Sequence, residues 1–538
     1  PLSAVVSELT ELTGHLLDGS DETSALSGWV RDADGEFVVT SIDTRSGRFV
    51  LFNDSLGRLP LYRCETGDSL YISREIGFIG KMAGWPGMDR LALAQTLLFC
   101  FPLEGKTLYE GIRRVPPASI LCGESAEGGP VRLRIDRAET RDLERGINGK
   151  GDIGEMSEEL ARLFRRSVSR RASGPCSNVL SLSGGIDSRA VLAGLRSTGS
   201  GFGAATYLDH CATASDDSRV AGILASKLGL DWSLMRLSRP TGSDALTLLR
   251  MKCGANYLGM SYSLRYFSSL ASRFGDDIVY FAGEGGNQVL PDIRPVRNFT
   301  STGSLAAFLI EENRIMPLET VSRITSVPEE EIVSSATSAL DSYPEKDRRI
   351  KYVHLLLFER CLNWLSEGED RNRNFFRTAS PLLSTPFLEF AMSCPWKSKS
   401  RYRLYRNFLG RLSEAESDIE ISGWGSPPSS VRSGAYLLGK DIYRRLPSGA
   451  RAAVRRRMKK NFTSIGADEA DSPTYRCLIE QLDGCDAVAG NISVDEAKKI
   501  AGTLNKMGFD HLFTVTSAIE QAATGGSTIE KYLSDPLM

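Results

Sequence analysis

Apolar and polar positions change their rhythm several times along this chain. Between residues 36 and 75 apolar residues come in short alternating runs, GEFVVTSID, GRFVLFND and DSLYIS, separated by Gly, Asp and Ser turns. A period of two bounded by turn residues predicts half-buried strands. Residues 116–136 carry further strand signals, and helix is expected in this part only near Asp89–Leu98. Residues 154–172 (GEMSEELARLFRRSVSRRA) place apolar positions at helical spacing and predict a connecting helix. From about residue 177 strand-like and helix-like segments alternate: VLSLS before an amphipathic run, GAATYLD before DSRVAGILASKLG, DIVYFAG before the turn GEGGN. That alternation predicts a parallel sheet with helices on its faces. Beyond residue 300 the pattern is mainly helical (SLAAFLIEEN, EEEIVSSATSAL, RRIKYVHLLLFERCLNWL), broken by a Gly/Ser/Pro stretch at 422–434 that predicts a loop or lid.

The expected fold class is therefore α/β, in four parts. Residues 1–140 form a β-rich domain, 141–176 a connecting helix, 177–425 a doubly wound parallel-sheet domain, and 426–538 a helical C-terminal tail. A length of 538 residues accommodates several domains.

Composition narrows the chemistry mainly by exclusion. The chain is 41% hydrophobic and 25% charged with a net charge of −2, an ordinary globular balance that gives no reason to expect nucleic acid as a partner. The basic run Arg451–Lys460 reads as a solvated helix face. Ten cysteines occur singly with no C-x-x-C pair, and the four histidines, His15, His210, His354 and His511, form no cluster. Both facts argue against a zinc site and for reduced, cytoplasmic thiols. No apolar run reaches the length of a membrane span, and the first residues, PLSAVVSELTELTG, lack the apolar core of a signal peptide. The start at Pro1 implies either a removed initiator Met or missing upstream sequence.

The most informative stretch is 178–196, NVLSLSGGIDSRAVLAGLR. A short apolar run enters Ser183-Gly184-Gly185-Ile186-Asp187-Ser188, and an amphipathic run follows at once. Strand, glycine turn and helix in that order leave free N–H groups at an electropositive helix start, a cradle for an anion. Two adjacent glycines let phosphate oxygens approach closely, and Ser183 and Ser188 add hydroxyl donors. Asp187 cannot bind phosphate directly, but a carboxylate there suits a Mg²⁺ ion held against phosphates. The string is not a Walker loop. A second strand-to-glycine turn follows at IVYFAGEGGNQVL (278–290). If the two strands are neighbours, Asp187 and Glu284 share one crevice at the strand ends, where Glu284 is a candidate general base for an incoming amine.

SGGxDS after a strand resembles the pyrophosphate loop of ATP pyrophosphatases. With a strand–GEGxx turn some hundred residues later, it resembles the synthetase domain of the asparagine synthetase family. Three further segments add to the resemblance. DSLGRLPLY (54–62) is similar to part of that family's glutaminase domain, with Asp54, Gly57, Pro60, Leu61 and Tyr62 in place. KTLYEGIRRVPPASIL (106–121) and GEDRNRNFF with SPLLSTPFLEFAMSCP (368–395) match two more family segments. The resemblance covers roughly residues 25–410. It implies an Ntn-like, incomplete N-terminal domain and an AMP- and pyrophosphate-forming carbon–nitrogen ligase that uses ATP and Mg²⁺.

By the same resemblance, Ser183, Gly184, Gly185, Asp187 and Ser188 hold pyrophosphate and metal, with Asn287 at the family's second metal position. Leu182 and Gly283 lie beside adenine and ribose, and Glu284 handles the amine proton. The implied partners are a small-molecule or peptide carboxylate and an amine or ammonia donor. A homodimer and a separate ammonia source stay open. Four positions depart from the family pattern. Pro1 stands where a glutaminase cysteine is expected, and Asn287-Gln288 replace Asp-Glu. The family lysine falls near Tyr402, so the cation is sought at Lys399, Arg401 or Arg403. Asn372-Arg373 replace Ser-Met. β-Lactam synthetases and lasso-peptide macrocyclases, relatives without glutaminase activity, are the alternative the resemblance suggests, and a nucleotide-binding, non-catalytic member is another. The aromatics at 364, 375 and 376 are candidates for an acceptor pocket or for core, and Cys253 and Cys361 for buried thiols.

Overall fold

The computed structural model describes residues 2–124, 130–138, 142–147, 149–446, 449–451, 454 and 472–537. The basic run Arg451–Lys460 lies for the most part outside them.

The expected N-terminal strands form two antiparallel sheets. β1 (Val38–Asp43), β2 (Arg48–Asn53), β6 (Ser119–Glu124) and β7 (Arg132–Arg137) pair in the order β1-β2-β6-β7. β3 (Tyr62–Thr66), β4 (Ser69–Ser73) and β5 (Arg113–Arg114) pair in the order β4-β3-β5. This region holds more helix than the alternation suggested. Leu2–Leu17, Ser24–Asp32 and Ile76–Ala83 are helical besides Arg90–Phe99. The first two exist because Leu9, Leu16, Leu26 and Val30 close over Val50, Phe52 and Ile120 of the larger sheet. Short helices are stabilised mostly by such packing and are weakly marked in local sequence.

The connecting helix spans Ile153–Ala172 and starts on Asp152, whose carboxylate accepts from the N–H groups of Gly154 and Glu155. Beyond it, β8 (Ser177–Ser181), β9 (Phe202–Leu208), β10 (Trp232–Arg236), β11 (Ile278–Phe281) and β12 (Arg377–Ala379) form one sheet in the order β10-β9-β8-β11-β12. Every neighbouring pair is parallel. The strands bury both faces. Leu180 and Phe281 pack with the helices Ile186–Thr198 and Ser215–Leu228, while Val179 and Tyr280 pack with Tyr266, Phe267 and Leu270 of the helix Tyr262–Phe274. Strand order reverses between β8 and β11, which makes that junction the topological switch point.

The C-terminal helices expected as a tail are helical, yet Lys506–Thr524 runs through a core. Its Leu512, Phe513, Val515 and Ala518 are buried against Leu93, Leu97, Leu249 and Leu309. The expected loop at 422–434 is shorter, because the helix Val431–Arg445 begins inside it, capped by the Ser430 hydroxyl.

A buried polar network joins the antiparallel region to the helix Ser366–Arg373. Arg58 reaches Glu36 at 2.6 Å and Glu369 at 3.0 Å, and Arg373 meets both carboxylates as well. Lys252 lies 2.7 Å from Glu367 and 2.8 Å from Asp370, which also hold Arg114, Tyr62 and Arg74. Deleting one partner of such a cluster leaves a desolvated charge behind. Arg58→Met is expected to lower the unfolding free energy by about 3 kcal/mol, since Arg373 alone must then serve two carboxylates. Urea unfolding curves measure it, and an unchanged midpoint contradicts it.

Candidate active site

β8 and β11 lie side by side in register, Leu180 opposite Phe281, so their C-terminal turns face each other across the switch point. On the β8 side, Leu182 closes the strand: its N–H donates to Ala205 O at 2.8 Å and its carbonyl accepts from the Thr206 hydroxyl at 2.6 Å. The turn then folds back on itself. Ser188 Oγ lies 2.9 Å from Ser183 Oγ and accepts from the Ser183 N–H at 3.1 Å, and Ser183 Oγ accepts from the Gly185 N–H at 3.2 Å. The helix Ile186–Thr198 starts at Gly185 with no side-chain cap. Among the described residues, the N–H groups of Gly184, Ile186 and Asp187 meet no acceptor. Uncapped N–H groups at a helix start are an anion site.

Arg189, fully buried, fastens this loop from beneath. Its guanidinium donates to the carbonyls of Glu416, Ile419 and Glu420 and to Gly184 O. The Ser422 N–H donates to Gly184 O at 3.0 Å. Gly184 has no room for a side chain, because a Cβ would fall 2.7 Å from that of Ser422 and 2.8 Å from that of Val220.

On the β11 side the turn presses against Asp187. A Cβ on Gly283 would lie 2.6 Å from Ser188 N. One on Gly286 would lie 2.5 Å from Asp187 Oδ1 and 2.7 Å from Tyr405 Oη. Gly285, at φ +93°, turns the chain where other residues would be strained. The short helix Gly286–Val289 then presents Asn287.

Asp187 sits where these pieces meet. Its Oδ1 accepts from the Tyr405 hydroxyl at 2.5 Å, and its Oδ2 accepts from the Asn287 backbone N–H at 3.2 Å and side-chain nitrogen at 2.7 Å. Tyr402 in turn donates to Asn287 Oδ1 at 3.1 Å. Burial pushes the Asp187 carboxyl up to about 7, against these hydrogen bonds. A half-buried carboxylate with donors but no cation gains most from a positive ion beside it, which is how a metal-bearing phosphate substrate would meet it. Among the described residues no group of three or more His, Cys, Asp or Glu could hold a metal ion. The side chains fit a cation shared with a substrate's phosphates better than a protein-only metal cage.

Glu284 occupies the other lip. Burial first, then the charges of Glu369 and Asp187, push its carboxyl up to about 7, with Arg371 and Arg58 opposing. Arg371 is buried, one face over the Phe267 ring at 5.7 Å, and its Nη1 has no partner. Glu369 is placed by β12: the Ala282 N–H donates to Ala379 O, and the next residue, Ser380, donates to Glu369.

Asp187 and Glu284 are thus brought together as expected from the two turns. The three candidate cations are not. Lys399 is fully buried, its Nζ on Val289 O at 3.0 Å and over the Trp396 ring, and burial lowers it to about 8. Arg401 is exposed and pairs with Asp441 at 3.4 Å, and Arg403 is exposed. Phe376 belongs to the core behind β11, with Phe375 packed against it, and Trp364 packs on the helical core. Cys253 and Cys361 are buried thiols. Sequence reasoning missed Tyr402 and Tyr405. Two tyrosines three residues apart, where a family lysine is expected, were the available signal.

The site is thus a glycine loop opening a helix at the switch point of a parallel sheet, opposite a glutamate on a second glycine turn. Residues 159–416 match the family model for asparagine synthase, so the chain carries a domain of that family, which is an ATP-dependent, amide-forming kind of synthetase (a carbon–nitrogen ligase). A comparison with curated proteins gives no match. No helix among the described residues is long and apolar enough to cross a membrane.

Close packing of the two turns makes a sharp expectation. Gly286→Ala drives a methyl group into Asp187 and Tyr405, and is expected to lower pyrophosphate release from ATP by about 10²-fold with the fold retained. Steady-state kinetics and circular dichroism on the variant measure both, and wild-type turnover would contradict it.

Proposed function

We propose that this protein adenylates a carboxylate with ATP, releases pyrophosphate, and then joins the acyl group to an amine with loss of AMP. The observation that carries this reading is the meeting of Asp187 and Glu284 at one switch-point crevice, each with a carboxyl raised to about 7. The uncapped N–H groups of Gly184, Ile186 and Asp187 suit the β and γ phosphates. Mg²⁺ accompanying ATP would supply the charge neutralisation that pyrophosphate departure needs. Asp187 is the side chain to hold it, with Tyr405 and Asn287 orienting the carboxylate. Glu284 accepts the proton of the attacking amine, a task that suits a carboxyl titrating near neutrality.

One observation favours a large acceptor over a free amino acid such as aspartate. From Asn287 an aromatic row, Tyr402, Trp424 and Tyr436, leads outward to the helix Val431–Arg445. An aromatic wall running outward from the crevice suits a peptide or extended metabolite, the substrate class of the intramolecular amide synthetases.

Pyrophosphate release from Mg–ATP tests the reading, with aspartate and ammonia, aspartate and glutamine, and a peptide carboxylate as acceptors in turn. Release with any of them supports ligation. ATP binding without release under all three contradicts it and leaves a nucleotide-binding, non-catalytic member.

A further inference from the structure

A second cleft lies between the antiparallel region and the helices beyond residue 340, with no residue in common with the loop crevice. Its volume is about 260 Å³, far above the roughly 10–15 Å³ that one water requires. Glu104, Pro116, Pro117 and Arg137 line one side, and Tyr343, His354, Phe358 and Glu359 the other.

Three features of this cleft point to a ligand. The first is a pair of opposite charges, Glu359 and Arg137, that face the cleft without forming an ion pair. Glu104 is paired with Lys106 at 2.6 Å, and Arg114, which also lines the cleft, is spent on Glu367. Glu359 receives Asn363 Nδ2 at 3.0 Å, but among the described residues no cation lies within ion-pair distance of it. Arg137 feels the Glu359 charge from across the cleft without reaching it. Burial pushes the Glu359 carboxyl up to about 7, with the Glu104 charge adding to it and Asn363, the Glu104 backbone and Lys106 opposing. The second is Tyr343, buried, whose hydroxyl faces the Glu359 carboxylate. Its ring stacks on His354 at 4.1 Å, His354 is fixed by Glu345 at 2.8 Å, and Phe358 stands 4.9 Å from His354. Aromatic faces beside a carboxylate are how proteins hold ammonium groups. The third is the wall itself. Phe358, Glu359 and Asn363 lie on Leu355–Leu365, a π-helix of 11 residues, and π turns are frequent at functional sites.

We propose that this cleft binds a free amino acid with a medium-sized apolar side chain. The ammonium sits between Glu359 and the aromatic rings, the carboxylate meets Arg137, and the side chain lies against Pro116 and Pro117. This site is additional to the ligase reading and does not depend on it.

The test is isothermal titration calorimetry of the full chain with three matched probes. They are L-leucine, 3-methylbutylamine (leucine without its carboxylate) and 4-methylpentanoate (leucine without its ammonium). Leucine is expected to bind saturably, and each half at least about tenfold more weakly. Glu359→Gln should weaken leucine by about tenfold. Should that variant misfold by circular dichroism, Tyr343→Phe, which removes one atom, should still weaken leucine severalfold. Asp187→Ala should leave leucine binding unchanged, because it alters only the loop crevice. No saturable leucine binding up to about 10 mM overturns the proposal, as does binding indifferent to both cleft variants. Amine binding as tight as leucine overturns the zwitterion, and leucine binding lost in Asp187→Ala overturns the location.

Discussion

Asp187→Ala is expected to lower pyrophosphate release from Mg–ATP by about 10³-fold or more, the size of effect associated with losing charge stabilisation at a reacting phosphoryl group. The expectation follows from position. Asp187 is the second residue of the helix that opens at the glycine loop, its N–H group belongs to the anion cradle, and its carboxylate faces the same space. Tyr405 and Asn287 hold that carboxylate in place. Tyr405→Phe should therefore cost less than Asp187→Ala, since it loosens the carboxylate without removing it. The pH dependence has a definite sign. Burial raises the Asp187 carboxyl to about 7, and only its charged form can hold a cation. Apparent affinity for Mg–ATP should be pH-independent well above 7 and should weaken by about tenfold per pH unit below it. Equilibrium binding of Mg–ATP across that range measures the slope in wild type and its loss in Asp187→Ala. A variant that turns over and titrates like wild type would remove Asp187 from the mechanism.

Much of this site was legible before any coordinates because it is local. SGGIDS and GEGG each mark a strand end, a turn and a helix start within a few residues. Parallel alternation then allows few arrangements of the strands that carry them. Gly283 and Gly286 carry the same information in another form, since each is a place where the two turns nearly touch. What stayed hidden depends on contacts between distant segments. Tyr405 reaches Asp187 across 218 positions and Arg58 reaches Glu369 across 311. Neither pair has a period or spacing that could reveal it. Lys399 misled for the same reason: its place in the chain suggested a cation for the crevice, but Trp396 and the Val289 carbonyl enclose it. The helices Leu2–Leu17 and Ser24–Asp32 were missed because the adjoining strand alternation dominated the local pattern, although Leu9, Leu16, Leu26 and Val30 are what cover the sheet.

Glu284→Gln separates the two halves of the proposed reaction. Glutamine keeps the shape of the side chain and its place in the turn but cannot take a proton. Amide formation should fall by about 10³-fold, within the usual span for a general base. Adenylation does not need that base, so isotope exchange between pyrophosphate and ATP in the presence of the acceptor should stay within about threefold of wild type. The pH profile gives a second, independent sign. The Glu284 carboxyl is raised to about 7 by burial and by Glu369 and Asp187. A base must be deprotonated to act, so amide formation in wild type should rise with pH through about 7 and level off above it, while in Glu284→Gln that rise should vanish. Arg58 neutralises Glu369, so removing Arg58 should move the wild-type rise to higher pH. Loss of exchange and of amide formation together in Glu284→Gln would place the glutamate in the adenylation step instead. The proton would then have to leave by another group on the same crevice.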